Sequence, residues 1–163
     1  MLNISVCPVV VEDAPAIAQL NESCFGRPTP VALVEAQLKA MIGDRSNKLF
    51  GAVYRGQLIG YAHVRTDLST YRAPRKTIVA IAVAKEYRRQ GVATTLMEAI
   101  AKWAKSEKCE TLGVMVGGSK AAAAFFSACG YTEHLNRKQF LKSIADPKSP
   151  IMERLENYYG KKE

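Results

Sequence analysis

The residues best suited to chemistry sit in one short basic stretch, Lys85-Glu86-Tyr87-Arg88-Arg89-Gln90-Gly91. Two arginines stand just ahead of a glycine, and Thr94 and Thr95 add two hydroxyls a turn later. Cationic side chains, a residue without a Cβ and free hydroxyls together suit an anion of the phosphate or pyrophosphate type. Glycine allows an anion to approach the backbone closely. The same features also suit an ordinary solvated loop. No G-K-[ST] follows a glycine-rich loop and G-x-G-x-x-G is absent, so neither a Walker loop nor a dinucleotide fingerprint is present. The second candidate is His63, which shares one face of a strand with Tyr61 and Arg65 by alternation. An ordinary imidazole pKa of ~6.5 makes it a candidate base. A histidine on a half-buried strand can equally be structural.

The elements on either side position the basic stretch. Residues 77–84 form a near-continuous apolar run with Ile and Val alternating, which reads as a strand covered on both faces. After Gly91, Val92, Leu96, Ile100 and Trp103 recur every three or four residues, giving the apolar face of a helix to about residue 105. The basic turn therefore meets a helix N-terminus, where free N–H groups and about half a positive charge favour an anion.

The rest of the chain supplies further strands and helices. Residues 5–10 read as a strand. A helix opens at Glu12 and Asp13, tolerates Pro15 in its first turn, and runs to about residue 22. A loop over 21–30 ends in Thr29 as N-cap and Pro30 as first helical residue, with the helix stopping at Gly43. Residues 49–54 and 58–66 form a hairpin through Arg55-Gly56-Gln57. A loop over 67–74 leads to the central strand. Residues 111–116 are a short strand broken by Gly117-Gly118. Ser119 caps a helix over 120–129 that closes at Gly130. Strands are expected over 132–141 and 151–155, with a turn over 146–150 between them.

Composition sets the class. At 163 residues the chain fits a single domain over 1–163. No apolar run approaches the ~18 residues of a membrane span, and the first residues lack a basic region ahead of an apolar one. The expectation is a cytoplasmic protein with no membrane partner. Cys7, Cys24, Cys109 and Cys129 are scattered without C-x-x-C, and His63 and His134 are the two histidines, so no metal site is expected. The cysteines read as buried small hydrophobes. The net charge of +8 is spread over several clusters, with no basic stripe interleaved with aromatics, so no nucleic-acid partner is expected.

Arg88-Arg89-Gln90-Gly91-Val92-Ala93 resembles the R/Q-x-x-G-x-G/A signature of the GNAT acetyltransferase superfamily, and residues 81–87 resemble that family's fourth strand and its lead-in. The element order matches the family over nearly the whole chain. The resemblance implies an α/β (α+β) GNAT fold: a mixed, mostly antiparallel sheet of about seven strands with about four helices, strands four and five splayed. It implies acetyl-CoA as cosubstrate. Ile81, Ala82 and Val83 would run beside the pantetheine arm, and Arg88, Arg89, Gln90, Gly91, Val92, Ala93 and Thr94 would surround the pyrophosphate. Ser119 and Phe126 would complete that site, and Tyr131 joins His63 as a catalytic candidate. Two departures stand out. The central strand has no glutamate to serve as base, and Phe126 stands where many members carry the tyrosine that protonates the departing thiolate. The function implied is direct acetyl transfer to a primary amine of a small molecule, amino acid or peptide. A catalytically weak acyl-CoA sensor is the alternative. The oligomeric state stays open, a homodimer included.

Overall fold

The structure is a computed structural model in which residues 2–134 are described. The chain divides into two compact units, Met1–Tyr131 and Thr132–Glu163. Of the second, only residues 132–134 are described, and they carry no helix or strand. The remainder of the strand expected over 132–141, and the turn and strand expected over 146–155, lie outside the described residues.

The first unit is built on a five-stranded sheet, β1 (Ser5–Pro8), β2 (Asn47–Tyr54), β3 (Gln57–Asp67), β4 (Arg75–Val83) and β5 (Leu112–Val114), in that spatial order. Neighbours are antiparallel up to β4, while β4 and β5 are parallel. The hairpin between β2 and β3 turns on two residues, Arg55 (φ 50°) and Gly56 (φ 77°). Two successive left-handed residues give the turn whose twist matches that of the flanking strands.

Four helices flank the sheet among the described residues: α1 (Ala14–Phe25), α2 (Val31–Met41), α3 (Val92–Ser106) and α4 (Lys120–Ala128). In α1, Pro15 lies in the first turn, and Gly26 (φ 63°) ends the helix by donating its N–H to the Glu22 carbonyl at 2.9 Å. The start of α2 differs from expectation by one position. Pro30 is the N-cap, its carbonyl accepting from Leu33 and Val34, while the Thr29 hydroxyl turns back to the Arg27 carbonyl.

Each sheet face has its own core. On one, Val92, Leu96, Met97 and Ile100 of α3 pack with Phe50, Ala62, Val64, Ile78 and Val83, joined by Phe126 of α4. On the other, Ile17 and Leu20 of α1 and Val34 and Leu38 of α2 pack with Leu49, Tyr61 and Ala82. Cover on both faces is why β4 reads as an unbroken apolar run. Leu96 and Ile100 are fully buried, and removing either side chain to Ala costs about 2–5 kcal/mol in a core of this kind. Among the described residues no helix is long and apolar enough to cross a membrane.

Candidate active site

β4 and β5 share only three pairs, Lys76↔Leu112, Thr77↔Gly113 and Ile78↔Val114. β4 continues to Val83, so residues 79–83 run on without a β5 partner among the described residues. The parting begins at a bulge. His63 faces Ala80 across the β3–β4 ladder and Val64 faces Ile78, leaving Val79 as the extra residue. A bulge re-aims the residues beyond it. Ile78 packs on the α3 face, and after Val79 it is Ile81 and Val83 that do so, while Ala80 and Ala82 turn to the α1/α2 face. Val79 is 47% exposed, and Met115 and Val116, just past the last β5 pair, are exposed too. The edge where the strands part is thus flanked by apolar side chains.

β4 delivers the chain to the basic turn. A single 3-10 turn spans Lys85–Tyr87, Arg88 is extended, and Arg89 (φ 63°) and Gly91 (φ 86°) are both left-handed just ahead of α3. A non-glycine residue held left-handed costs on the order of 1 kcal/mol, which marks the turn as a constrained site. A Cβ built on Gly91 would meet nothing within 4 Å, so the space above this glycine is open. Arg88 is exposed but bonded back: its Nε donates to the Val83 carbonyl at 3.0 Å and its Nη2 to Cys24 Sγ at 3.4 Å. It ties the turn to β4 and α1. Gln90, also exposed, closes its amide on the turn itself, donating to the Glu86 carbonyl at 2.8 Å. Of the two threonines, Thr95 closes its hydroxyl on the Gly91 carbonyl at 3.0 Å, and Thr94 stays exposed with Arg89. Among the described residues, the groups here left without a hydrogen bond are therefore the Arg89 and Thr94 side chains and the first N–H groups of α3, which a helix leaves unpaired at its start.

On the α1/α2 face a cavity of about 150 Å³ reaches the bulge, with Ala80, Tyr61 and His63 in its wall. His63 Nε2 lies 2.7 Å from Asn47 Oδ1. The orientation of Asn47 is set from its other side, because its Nδ2 donates to Asp44 Oδ2 at 2.8 Å. An amide that gives its hydrogens to a carboxylate presents its oxygen to the ring. His63 Nε2 is then the donor and Nδ1 carries the basic lone pair. Burial, and then the Arg65 charge, hold the His63 pKa below the ordinary histidine value, so the ring is neutral near pH 7. Asp44 is kept ionised by hydrogen bonds from the Ser46 backbone and hydroxyl and from Asn47, which lower its pKa. Tyr61 donates to Asn21 Oδ1 at 2.5 Å, and burial, with Cys24 adding, pushes its phenol up to about 12.

The remaining sequence candidates are not gathered at this cavity. Ser119 caps α4, its hydroxyl accepting from Ala122 N at 3.2 Å. Phe126 is buried in the α3-side core, edge-on to Phe125 and Tyr131. Tyr131 packs against that same core, with its buried hydroxyl lacking a hydrogen-bond partner among the described residues and its pKa pushed up to about 12, mainly by burial. His63 and Tyr131 thus lie on opposite faces of the sheet. The cysteines correct an expectation: none is buried, Cys7 and Cys129 being exposed and Cys24 and Cys109 half-buried. Cys7 lies on the edge strand β1 and Cys129 is the C-cap of α4, both at element margins rather than in either core. Among the described residues no cluster of three or more His, Cys, Asp or Glu could hold a metal. The Val79 bulge and the Asp44–Asn47–His63 chain were not read from the sequence. Asp44 and Ser46 carry a local turn signal, but nothing local tells that Asn47 will meet a histidine on the next strand.

A model of the acetyltransferase (GNAT) family matches residues 14–131. The chain is a member of the GNAT acetyltransferase family. No curated protein matches it significantly. Its fold is similar to that of an aminoglycoside antibiotic 6'-N-acetyltransferase from Acinetobacter baumannii, with TM-score 0.75 and 20% identity over 88% of this chain and 100% of that one. A possible acetyltransferase from Clostridium difficile 630 gives 0.73 and 18% over 87% and 99%. A transcriptional regulator from Bacillus halodurans C-125 gives 0.73 and 19% over 87% and 100%. The GNAT fold expected from the sequence is the fold found: a mixed sheet whose last described pair is parallel, with four helices around it. The described sheet has five strands rather than seven, since the last two expected fall almost wholly beyond His134. GNAT enzymes use acetyl-CoA as cosubstrate; in this chain β4 runs on past Ile78 without a β5 partner among the described residues, and exposed Arg89 and Thr94 stand at the start of α3.

Proposed function

We propose that this protein transfers the acetyl group of acetyl-CoA to a primary amine of a small molecule, amino acid or peptide, directly and without an acyl-enzyme. The observation that carries this reading is the bulge at Val79. It opens the β4 edge on one side and, through Ala80, borders the α1/α2 cavity that holds His63. The backbone of Ile81, Ala82 and Val83 would run beside the pantetheine arm. Arg89, Gly91, Val92, Ala93 and Thr94 would meet the pyrophosphate, with Arg88 and Gln90 shaping the turn. Ser119 and Phe126 would act by holding α4 in place.

Acetyl-CoA supplies an activated thioester. His63, neutral and with Nδ1 as its basic nitrogen, accepts the amine proton, Asn47 holds the ring, and the new C–N bond forms as the C–S bond breaks. A thiol pKa of ~8.5 allows coenzyme A to leave as a thiolate without a dedicated acid, which fits Phe126 lacking a hydroxyl. The aminoglycoside acetyltransferases of similar fold support acetyl transfer to an amine in general. We assign the protein to the cytoplasm, where its four unpaired thiols stay reduced. A second reading, an acyl-CoA sensor, is favoured by the absence of a carboxylate on β4. Thiol release from acetyl-CoA in the presence of a broad set of primary amines decides between them. Amine-dependent release supports the enzyme, and tight coenzyme A binding without release with any amine supports the sensor.

A further inference from the structure

The cavity beneath α1 and α2 differs from a polycation site in what lines it. Its apolar wall comes from Ile17, Leu33, Val34, Leu38 and Leu49. Its polar groups are Asn21, Thr29, Gln37, Tyr61 and His63. Among the described residues no aspartate, glutamate, lysine or arginine lines it. Asn21 already accepts from Tyr61, and Thr29 donates to the Arg27 carbonyl. Asp44, which reaches His63 through Asn47, takes its hydrogen bonds from Ser46 and Asn47 and stays outside the cavity wall.

An ammonium group moved into such a wall loses its water and finds no counter-ion, and a buried unpaired charge is among the most costly groups to desolvate. A single amine avoids this by entering as the free base, the form that attacks a thioester. A second or third ammonium carried past the exposed mouth at Leu33 and Gln37 has no such escape. Size points the same way. About 150 Å³ is below the ~300–1,000 Å³ of sites that enclose drug-sized ligands. Resting on the acetyl-transfer reading above, we propose that the acceptor is a primary monoamine carried on a compact apolar body, seated between Leu38 and His63 in this cavity.

The test compares monoamines with polyamines in the acetyl-CoA thiol-release assay. Isopentylamine is set against cadaverine, with 2-phenylethylamine and kanamycin as a second pair. The expected kcat/KM favours each monoamine by at least about thirtyfold, the equivalent of one poorly compensated polar group. Gln37→Glu, an isosteric change at an exposed position of the cavity wall, should narrow that ratio by about two- to fivefold, the range of an exposed ion pair. Cadaverine or kanamycin turned over as well as its partner would overturn the assignment and leave acetyl transfer intact, as would a ratio unmoved by Gln37→Glu. No thiol release with any amine, while coenzyme A still binds, would remove the acetyl-transfer reading and this inference with it.

Discussion

The chain from Asp44 through Asn47 to His63 makes a quantitative prediction about turnover. His63→Gln removes the proposed base, and general-base catalysis contributes about 10²–10⁴-fold, or about 2.7–5.4 kcal/mol of barrier. Asn47→Ala removes the 2.7 Å hydrogen bond that fixes the ring but leaves the base. One net hydrogen bond is worth about 0.5–1.5 kcal/mol, so kcat should fall about two- to twelvefold. Because Asn47 acts through His63, adding Asn47→Ala to His63→Gln should leave kcat unchanged. The assay is steady-state thiol release at saturating acetyl-CoA and amine, measured across pH. The parent profile in kcat should show an acid limb below ~6.5, because burial and Arg65 lower the His63 pKa. The sign for stability agrees: a histidine with a depressed folded pKa contributes fully above its unfolded value, and that contribution is lost as pH falls toward the folded one. Turnover in His63→Gln within about fivefold of the parent would refute the base, since that is below the ~10²-fold floor of such catalysis. Additive losses in the double variant would refute the positioning role of Asn47.

Three further outcomes are expected. Gly91→Asp should abolish acetyl-CoA binding by calorimetry, because it sets a carboxylate where the anion approaches and strains a left-handed position. An unchanged circular dichroism spectrum would show that the fold survives. Asp67 is pushed up by burial, but hydrogen bonds from Thr77 and Arg65 and the Arg65 and Arg75 charges outweigh this and hold its pKa below the usual value. Its contribution should be present above its unfolded pKa of ~3.9 and be lost as pH falls through the lower folded value. Denaturant midpoints of the parent and Asp67→Asn should therefore converge only in acid. Phe126→Tyr brings a hydroxyl into a buried core position and should lower stability by about 1–3 kcal/mol. Its kcat should move by less than about tenfold, ~1.4 kcal/mol of barrier; a larger gain would restore the tyrosine acid to the mechanism.

Much of this architecture was legible because it follows from periodicity. The spacing of Val92, Leu96 and Ile100 gave α3, and the apolar run over 77–84 gave a strand with both faces covered. Arg88-Arg89-Gln90-Gly91 gave the turn and, with it, the family. Less legible was how the turn divides its work. Arg88 and Arg89 are chemically alike and both exposed, yet Arg88 binds the Val83 carbonyl while Arg89, held at a left-handed φ, is left free of such a bond among the described residues. The bulge at Val79 was hidden because Val, Ala and Ile suit either face of a two-sided strand, so the shift in alternation leaves no mark in hydrophobicity. The tautomer of His63 depends on Asn47, sixteen residues away, and only the β2–β3 pairing brings the two together. Thr29 and Pro30 missed the start of α2 by one residue, because the Pro30 carbonyl opens the helix while the Thr29 hydroxyl bonds back to Arg27.

The central claim is that acetyl-CoA lies along the open edge of β4 with its pyrophosphate on the turn before α3. Backbone amide resonances of ¹⁵N-labelled protein titrated with coenzyme A test this most directly. The largest shifts should fall on residues 89–94 and on residues 79–83, and a pantetheine fragment should move the second group but not the first. Saturable shifts confined to other segments, or the same shifts at the turn with pantetheine alone, would contradict the account.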